Sequence, residues 1–547
     1  MEHYSSKELR DYFKYYEGKL RVLNLEEKGL FTVPDAVTEL SEIEKLLLDI
    51  NNLTELPASI SKLKNLIVLK LDGNKLPKLP AEIGDLRKLR ELSVSFNQLA
   101  GLPTSIQRLT KLEGLYLNAN KLTELPAEIG DLKELRELRV GENHLVCLPT
   151  SIQRLTKLKW LKLRGNKLTE LPIGDLRELR MLNVFNNELV GLPTSIQRLT
   201  KLERLRLSSN NLTELRPEIG DLKELRELWV GGNRLVGLPA SIKRLTKLER
   251  LRLSANKLTE LPPEIGDLRQ LRELWVTDNQ LVGLPTSIQR LPRLEWLRLS
   301  ANKLTELPPE IGDLRELREL WVTDNQLVGL PTSIERLTKL EWLRLSANKL
   351  TELPPEIGDL KELRELWVGD NRLVGLPTSI ERLTKLERLR LSANKLTELP
   401  PEIGDLRELR ELWVGDNQLV GLPANIKRLT KLERLCSGAN KLTELPAGIA
   451  DLRELRHLLL GSNQLVGLPT GIQRLSKLKE LHLDDNKLTE LPADIGDLRE
   501  LSVSHNPLTI DAIRCALKLM KKGVLVSGVA GEHNGCFSNL EVRKKTT

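Results

Sequence analysis

The sequence predicts an elongated α/β solenoid in which short parallel strands stack side by side. An Asn recurs from position 51 to position 506, and eighteen of its twenty intervals are 23 residues long. Around each Asn stands a leucine skeleton of fixed spacing, which in one unit consists of Leu294, Leu297, Leu299, Asn302 and Leu304. A unit this short cannot bury its apolar face alone, so successive units must pack against each other.

Each unit predicts one strand and one outer turn. Leu297 and Leu299 alternate with polar residues, so both leucines lie on one face of a short strand. Asn302 then turns inward, where its amide can pair with buried loop backbone. The following LPxxIxxL segment predicts a short helical or extended turn on the convex side. With a first turn at residues 20–30, the sequence predicts about 22 repeats and a parallel sheet on the concave face of a horseshoe or superhelical arc.

Capping helices are predicted at both ends of the array, which spans residues 20–508. Residues 1–19 carry a capping box, Ser5 with Glu8, and an apolar series at helical spacing that consists of Leu9, Tyr12, Phe13 and Tyr16. At the other end, Thr509 is placed to cap a helix over residues 509–523. Its predicted apolar residues are Ile513, Ala516, Leu517 and Met520. Residues 524–547 are expected to form a short strand and a tail.

A few repeats depart from the regular length or from the regular residue pattern. The two remaining intervals, of 21 and 20 residues, arise in or just after outer turns, so the strand phase should survive. In one unit, Cys436 and Ser437 replace the usual Arg and Leu. Because Ser437 occupies an inward position, we expect a local core defect of about 2–4 kcal/mol. The units also alternate in type with a 46-residue superperiod, which indicates duplication of a two-turn block.

Charge, cysteines and hydropathy favour a cytoplasmic protein. The net charge is +8 over 547 residues, and about half of it lies beyond residue 508, so the solenoid is nearly neutral. That balance argues against nucleic acid as a partner. The four cysteines form no terminal cluster, which favours a reducing compartment. No segment predicts a membrane span or a signal peptide. We expect a monomer.

The residues between the strand leucines should face the concave side in columns. The middle column alternates tryptophan and arginine: Trp229, Arg252, Trp275, Arg298, Trp321, Arg344, Trp367, Arg390 and Trp413. The column before it contains Glu273, Trp296, Glu319, Trp342, Glu365 and Arg388. Exposed aromatic and arginine side chains are typical of protein-binding surfaces. The alternative is that Trp and Arg stack on each other, that Glu pairs with Arg, and that duplication copied one original Trp.

A second patch is predicted near the shortened turn, on two adjacent strands. Its basic and aromatic residues are Lys159, Trp160, Lys162, Arg164, Arg180 and Phe185. These side chains are suited to an acidic segment of a partner, and the alternative is sequence drift in an older part of the array.

No catalytic, cofactor or metal site is predicted. Cys436, His457 and His482 fall on successive strands, but the outer two would lie about 9.6 Å apart, too far to share one ion. The sequence contains neither GxSxG nor HExxH. An open sheet also excludes water poorly, which disfavours acid–base catalysis.

The unit LxxLxLxxNxLxxLPxxIxxLxx resembles intracellular leucine-rich repeats of three groups: the Shoc-type Ras scaffolds, the plant intracellular Ras-group proteins, and LAP proteins such as scribble and erbin. The match covers about residues 20–508. The resemblance implies a non-enzymatic signalling scaffold that binds proteins on its concave side, with a Ras-like small GTPase or a phosphatase subunit as family-typical partners. The Shoc-type phosphatase-docking motif is not met, because residues 21–24 read RVLN and lack its aromatic residue.

Two alternatives to a free-standing scaffold remain. Similar repeats precede a GTPase domain in ROCO proteins, so the chain could be the sensor arm of such a GTPase or of another multidomain receptor. A reading frame that continues past residue 547 into a phosphate-binding loop would identify this arrangement. An enzyme acting at the concave surface is the third and least supported hypothesis.

Overall fold

The structure is a computed structural model that describes residues 13–16, 19–492 and 498–528. It divides into two compact units, Met1–Asn325 and Gln326–Thr547. Below, these are unit 1 and unit 2. Each predicted repeat contains one strand, which confirms the predicted repeat fold.

The strands of unit 1 are β1 Phe13–Tyr16, β2 Lys19–Asn24, β3 Lys45–Leu47, β4 Val68–Lys70, β5 Glu91–Ser93, β6 Gly114–Tyr116, β7 Glu137–Arg139, β8 Trp160–Lys162, β9 Met181–Asn183, β10 Arg204–Arg206, β11 Glu227–Trp229, β12 Arg250–Arg252, β13 Glu273–Trp275, β14 Trp296–Arg298 and β15 Glu319–Trp321. Those of unit 2 are β16 Trp342–Arg344, β17 Glu365–Trp367, β18 Arg388–Arg390, β19 Glu411–Trp413, β20 Arg434–Cys436, β21 His457–Leu459, β22 Glu480–His482, β23 Glu500–Ser502 and β24 Leu525–Ser527.

The outer turns contain 3-10 helices, because each turn has only about five residues between its Pro and the next buried Leu. The described residues also form two α-helices, α1 Asp35–Thr38 and α2 Ile510–Lys521. In unit 1 the 3-10 helices are Ala58–Lys62, Ala81–Asp85, Thr104–Arg108, Ala127–Asp131, Thr150–Arg154, Thr194–Arg198, Pro217–Asp221, Ala240–Arg244, Pro263–Asp267, Thr286–Arg290 and Pro309–Asp313. In unit 2 they are Thr332–Arg336, Pro355–Asp359, Thr378–Arg382, Pro401–Asp405, Ala424–Arg428, Ala447–Asp451 and Ile472–Arg474.

The leucine skeleton forms the core of both units. In the repeat of β14, Leu294, Leu297, Leu299 and Leu304 are fully buried, and so is Ile311 of the following outer turn. Neighbouring strands pair in parallel and in register, so each position of the repeat forms a column across the sheet. The short intervals do not break this register: β8 pairs with β9, and β22 with β23, at the expected positions.

The recurring Asn bonds the backbone of its own repeat and of the preceding one. Asn279 donates to the carbonyl oxygens of Leu253 and Val276, at 3.1 and 3.2 Å, and accepts from the Leu258 N–H at 3.0 Å. The amide therefore satisfies buried backbone groups that the turn leaves unpaired, as predicted. The residue before it, Asp278, has φ of +57°, and a positive φ recurs at this position in other repeats.

The N-terminal helix prediction is wrong for residues 13–16. Phe13–Tyr16 form strand β1, which pairs antiparallel with β2. The backbone groups along the first edge of a parallel sheet need a partner, and an aromatic-rich segment favours the extended form, so pairing prevails over the helical spacing. Ser5, Glu8, Leu9 and Tyr12 of the predicted helix lie outside the described residues.

The C-terminal helix forms as predicted, but with a different buried face. Thr509 caps α2 by accepting a hydrogen bond from the Ala512 N–H. Ala516 is buried as expected, whereas Leu517 and Met520 are each 45% exposed. The buried residues are Ala512, Ala516 and Leu519, so the helix is rotated relative to the prediction. Among the described residues, no helix has the length and hydropathy that a bilayer crossing requires.

Ser437 lies in the core, as its position in the repeat predicts. It is fully buried, and so are Val414 and Leu460, which occupy the same position in the preceding and the following repeat. Its hydroxyl has no hydrogen-bond partner among the described residues. An unpaired hydroxyl thus replaces a leucine side chain at this point of the core.

Candidate functional site

The side of the sheet opposite the leucine core carries the predicted binding residues. In each three-residue strand from β3 to β23 the central Leu is buried, and the residues on either side of it point the other way. We call this surface the sheet face. It corresponds to the face that the sequence predicts to be concave.

Tryptophan and arginine side chains stack on one another along the sheet face of unit 1. The guanidinium carbons of Arg206 and Arg252 lie 3.9 and 4.2 Å from the ring centre of Trp229. Those of Arg252 and Arg298 lie 3.7 and 4.2 Å from the ring centre of Trp275. We call this series the Arg–Trp column, and in unit 1 it consists of Arg206, Trp229, Arg252, Trp275, Arg298 and Trp321.

Both faces of the indole rings are therefore covered. Strands β10 and β12 flank β11 on opposite sides, so their arginines lie over opposite faces of Trp229. Each such contact stabilises the fold by about 0.5–2 kcal/mol. The expectation of exposed aromatic faces is wrong for these rings: Trp229 and Trp275 are half-buried within the column. The structure instead has the alternative arrangement, in which Trp and Arg side chains stack on each other.

Glutamates lie beneath the arginines. Glu227 accepts from Arg206 and Arg250, Glu273 accepts from Arg252 Nε at 2.5 Å, and Glu319 accepts from Arg298 Nε at 2.6 Å. The glutamate side chains are only 9–12% exposed, whereas those of Arg252 and Arg298 are 27% and 24% exposed. A molecule approaching the sheet face thus meets positive charge first, because the neutralising carboxylates lie below it.

Unit 2 contains the same kind of arrangement over a shorter distance. Arg344 and Arg390 lie over Trp367, with guanidinium carbons 3.8 and 4.0 Å from the ring centre. Trp413 has looser partners, since Arg390 and Arg434 are 5.0 and 5.7 Å from its ring centre. The column ends there because the next strand has a cysteine instead of an arginine at this position.

Trp296 and Trp342 occupy the column before the central leucine. Trp296 pairs in register with Glu273 on one side and Glu319 on the other. Trp342 pairs in register with Glu365, which bonds Arg388 and raises the pKa of that guanidinium. Both indoles are half-buried, like those of the Arg–Trp column.

The second patch lies on adjacent strands, as predicted. Trp160 and Lys162 are on β8, which pairs with β9, and the guanidinium of Arg164 lies 6.0 Å from the ring centre of Phe185. Phe185 is 38% exposed. Lys159 and Arg180 immediately precede the two strands. Three of its four cations, however, have carboxylate partners, since Lys162 pairs with Glu137, Arg164 with Glu142 and Arg180 with Glu203. The patch is therefore less basic than its composition suggests.

Two depressions on the sheet side are lined by polar groups. One, of about 250 Å³, lies in unit 1 beside Arg250, Arg272 and Trp296. The other, of about 440 Å³, lies in unit 2 and is lined by charged residues and one histidine: Glu387, Arg388, Arg410, Glu411, Glu433, Arg434 and His457. Small-molecule sites are mostly apolar and enclosed, so neither depression favours such a ligand.

Cys436 has no nucleophilic character in this environment. It is buried, and burial raises the pKa of its thiol to about 12, so it is protonated at neutral pH. His457 of the next strand pairs with Glu480, its Nδ1 lying 2.8 Å from the carboxylate. Within the described ranges, no group of His, Cys, Asp and Glu side chains is arranged to hold a metal ion.

The close packing between the two outer turns of a two-turn block was not predicted from the sequence. Gly266 lies so close to the next outer turn that a Cβ there would collide with the Ser287 carbonyl oxygen. An ion pair, Arg290 with Asp267, joins the same two turns. The equivalent ion pair, Arg244 with Asp221, joins the two outer turns of the preceding block. The alternation of PEIGD and TSIxR turns was the available signal for this pairing.

A half-buried carboxylate near the first repeats was also missed. Asp49 accepts from the Asp72 N–H at 2.7 Å, and Asp72 in turn accepts from the Ser95 N–H at 2.6 Å. Burial raises the pKa of Asp49 to about 6, and the neighbouring Asp72 adds to that effect. Nothing in the sequence distinguishes this Asp from the exposed ones.

Family models match most of the chain. The model described as "Leucine-rich repeat region" matches residues 69–144, 146–232, 240–329, 285–370, 330–414 and 378–460. The model described as "Leucine rich repeat" matches residues 453–508. No curated protein matches the sequence.

Several solved structures are similar to this one. A leucine-rich repeat protein from Leptospira interrogans is 35% identical, with a TM-score of 0.61, and the match covers 76% of this chain and 95% of that one. The Arabidopsis receptor kinase HAESA, in complex with the peptide hormone IDA and a co-receptor, is 27% identical, with a TM-score of 0.68 and coverage of 94% and 91%. YopM from Yersinia enterocolitica is 29% identical, with a TM-score of 0.55 and coverage of 89% and 88%.

Proposed function

This chain belongs to the leucine-rich repeat proteins, and we propose that it is a non-enzymatic scaffold that binds a partner protein on the sheet face. The repeat domains of this family are typically interaction modules rather than catalysts. The observation that supports this most directly is the Arg–Trp column. Stacking on both sides fixes the rotamers of its large side chains, so little conformational entropy remains to be lost on binding.

Similar proteins that were solved with peptide ligands support a polypeptide as the ligand of this chain. The HAESA structure contains a peptide hormone and matches 94% of this chain, and a plant receptor of similar repeat fold, also solved with its peptide ligand, is 29% identical and matches 94% of it. A sheet face of side chains held at regular spacing can contact an extended segment or a folded domain along its length.

The partner we propose first is a Ras-like small GTPase, in the cytoplasm, as the resemblance to intracellular repeat families implies. The cysteines in the described part of the chain are unpaired thiols, which suits a reducing compartment. A phosphatase subunit is the second family-typical partner. Purified GTPase loaded with a non-hydrolysable GTP analogue or with GDP, titrated against the full chain, tests the first proposal directly.

A ligand-binding arm of a larger receptor is the second candidate. It is favoured by the HAESA similarity, since that protein is a receptor kinase, and it includes the ROCO-type arrangement. A longer reading frame in the genomic sequence that encodes a GTPase or kinase domain after residue 547 would favour the receptor over the free-standing scaffold.

The experiment that tests binding on the sheet face is affinity capture with the full chain and a triple variant, Trp275→Ala, Trp321→Ala and Trp367→Ala. The matched control is Val236→Ser, Val282→Ser and Val374→Ser, which changes three valines that are each 62–64% exposed in the segments after the strands. We expect the tryptophan variant alone to lose partners. Hydrogen exchange on all three proteins checks that the repeats stay folded. Equal recovery by the tryptophan variant and the wild type would exclude the column as the binding site.

A further inference from the structure

Two arginines of the Arg–Trp column, Arg252 and Arg298, have the end of the guanidinium group available for a further hydrogen-bond partner. Arg252 and Arg298 bond their glutamates through Nε, at 2.5 and 2.6 Å. The Nη groups of these two arginines make no hydrogen bond to any other part of the chain that the structure describes. The end of a guanidinium group is the edge that binds a carboxylate through two parallel hydrogen bonds. Each arginine can therefore hold its own glutamate from the side and a partner's carboxylate at the end.

The charge on this surface favours an acidic partner. The carboxylates of Glu227, Glu273 and Glu319 are nearly covered, and each is already bonded to at least one guanidinium group. Arg250, beside the column, is 47% exposed and adds to the positive charge. The sheet face of β10–β15 is thus positive toward solvent, although the solenoid as a whole is nearly neutral.

The spacing of the arginines limits the shape of the partner. Arg206, Arg252 and Arg298 lie on every second strand of an in-register sheet. Parallel strands are about 4.8 Å apart, so neighbouring arginines are about 9.6 Å apart and the outer two about 19 Å apart. A row of three guanidinium groups therefore repeats at one fixed distance. Arg252 and Arg298 present both Nη groups, whereas Arg206 bonds Glu227 through Nη2 and presents Nη1.

A polyproline II segment matches this distance. It rises about 3.1 Å per residue with three residues per turn, so every third side chain points the same way at intervals of about 9.3 Å. Six residues span about 18.6 Å, close to the length of the arginine row. In a β-strand, by contrast, side chains on one face repeat at about 6.7 Å and soon lose register with the arginines.

We propose that the sheet face of β10–β15 binds an acidic polyproline II segment of a partner protein, with one carboxylate at every third residue facing Arg206, Arg252 and Arg298. This proposal rests on the proposed function and names the chemistry of the ligand. Such a segment is already extended before it binds, so it loses little entropy on a rigid row of arginines.

The test uses calorimetric titration of the full chain at low salt with three synthetic peptides of equal charge. One has Glu at every third residue (EPPEPPEPP), one has Glu at every fourth residue (EPPPEPPPEPP), and one is a helical peptide with Glu at every seventh residue. A single-stranded oligonucleotide is the fourth ligand. We expect the first peptide to bind at least tenfold more tightly than the other ligands and to weaken as salt is added. Equal affinity for the three peptides, tighter binding of the helical peptide or the oligonucleotide, or no binding of the first peptide would overturn the proposal.

Variants locate the site. The double variant Arg252→Lys and Arg298→Lys retains both charges, but an ammonium group cannot bind a carboxylate through two parallel hydrogen bonds. We therefore expect affinity for the first peptide to fall about tenfold. The matched control, Arg244→Gln and Arg290→Gln, removes two exposed arginines from outer turns and should leave affinity unchanged. Unchanged affinity in the lysine variant would overturn the assignment. If no acidic peptide binds while capture still depends on the tryptophans, this inference fails and the proposed function stands.

Discussion

Replacing Ser437 with Leu should stabilise the repeat of β20. Ser437 is fully buried, as is Leu391, which occupies the equivalent position two repeats earlier. Removing a buried leucine side chain costs about 2–5 kcal/mol, and a buried hydroxyl without a partner costs about 1–3 kcal/mol more. Because the repeat can relax around the smaller side chain, we expect Ser437→Leu to recover about 2–4 kcal/mol.

Hydrogen exchange is the suitable assay, because stacked repeats open locally and a single unfolding midpoint would average over them. The informative amides are those of Ala439 and Leu460, which donate to the Gly461 and His482 carbonyl oxygens. A gain of about 2–4 kcal/mol slows their exchange by at least about 30-fold, since each 1.4 kcal/mol is a factor of ten.

Two further variants separate the contributions. Ser437→Ala removes only the unpaired hydroxyl and should recover about 1 kcal/mol. Leu391→Ser creates the same defect two repeats away and should speed exchange there by a similar factor. The reasoning is refuted if Ser437→Leu leaves exchange at Ala439 and Leu460 unchanged, or if the wild-type amides near Ser437 are already as protected as those near Leu391.

Three further perturbations have defined outcomes. Asp49 has a raised pKa of about 6, so its contribution to stability is present below about pH 4 and is lost as the pH rises to 6. Asp49→Asn, which keeps the acceptor for the Asp72 N–H, should remove a pH-dependent loss of about 1–2 kcal/mol in denaturant titrations at pH 4 and pH 7, after allowance for solvent screening. Gly266→Ala, which forces a Cβ against the Ser287 carbonyl, should cost about 1–3 kcal/mol by the same measurement. Asn279→Ala leaves buried backbone groups unpaired and should cost about 2–4 kcal/mol, seen as faster exchange in the two adjoining repeats.

Each of these outcomes has a control. The Asp49 assignment is wrong if wild type and variant lose the same stability between pH 4 and pH 7. Gly283→Ala is matched to Gly266→Ala, because no atom lies within 4 Å of a Cβ placed at Gly283, and it should be nearly neutral. Similar effects of the two alanines would contradict the close approach at Gly266. Unchanged exchange in Asn279→Ala would mean that the side-chain amide is not needed by the turns it bonds.

Local spacing was enough to predict the repeat and the identity of the column residues. Leu297 and Leu299 had to share a buried face because strands alternate with period two, and Asn302 had to turn inward because only a side chain with both donors and acceptors satisfies that turn. Thr509 predicted its helix, since a hydroxyl at that position caps a helix start. By contrast, the N-terminal spacing from Leu9 to Tyr16 predicted a helix, but Phe13–Tyr16 form a strand, because the open edge of β2 offers backbone partners that a local pattern cannot reveal.

The sequence by itself determined that each strand from β10 to β19 would bury leucine on one side and carry tryptophan, arginine or glutamate on the other, because a fixed repeat length sets the side of the sheet on which each residue lies. Only the tertiary structure decided how those exposed columns meet. Arg252 lies between Trp229 and Trp275 and bonds Glu273 below, and these contacts join residues more than twenty positions apart. Stacking of neighbouring repeats, which brings such residues within about 5 Å, is what covers the indole faces and leaves the guanidinium ends facing outward.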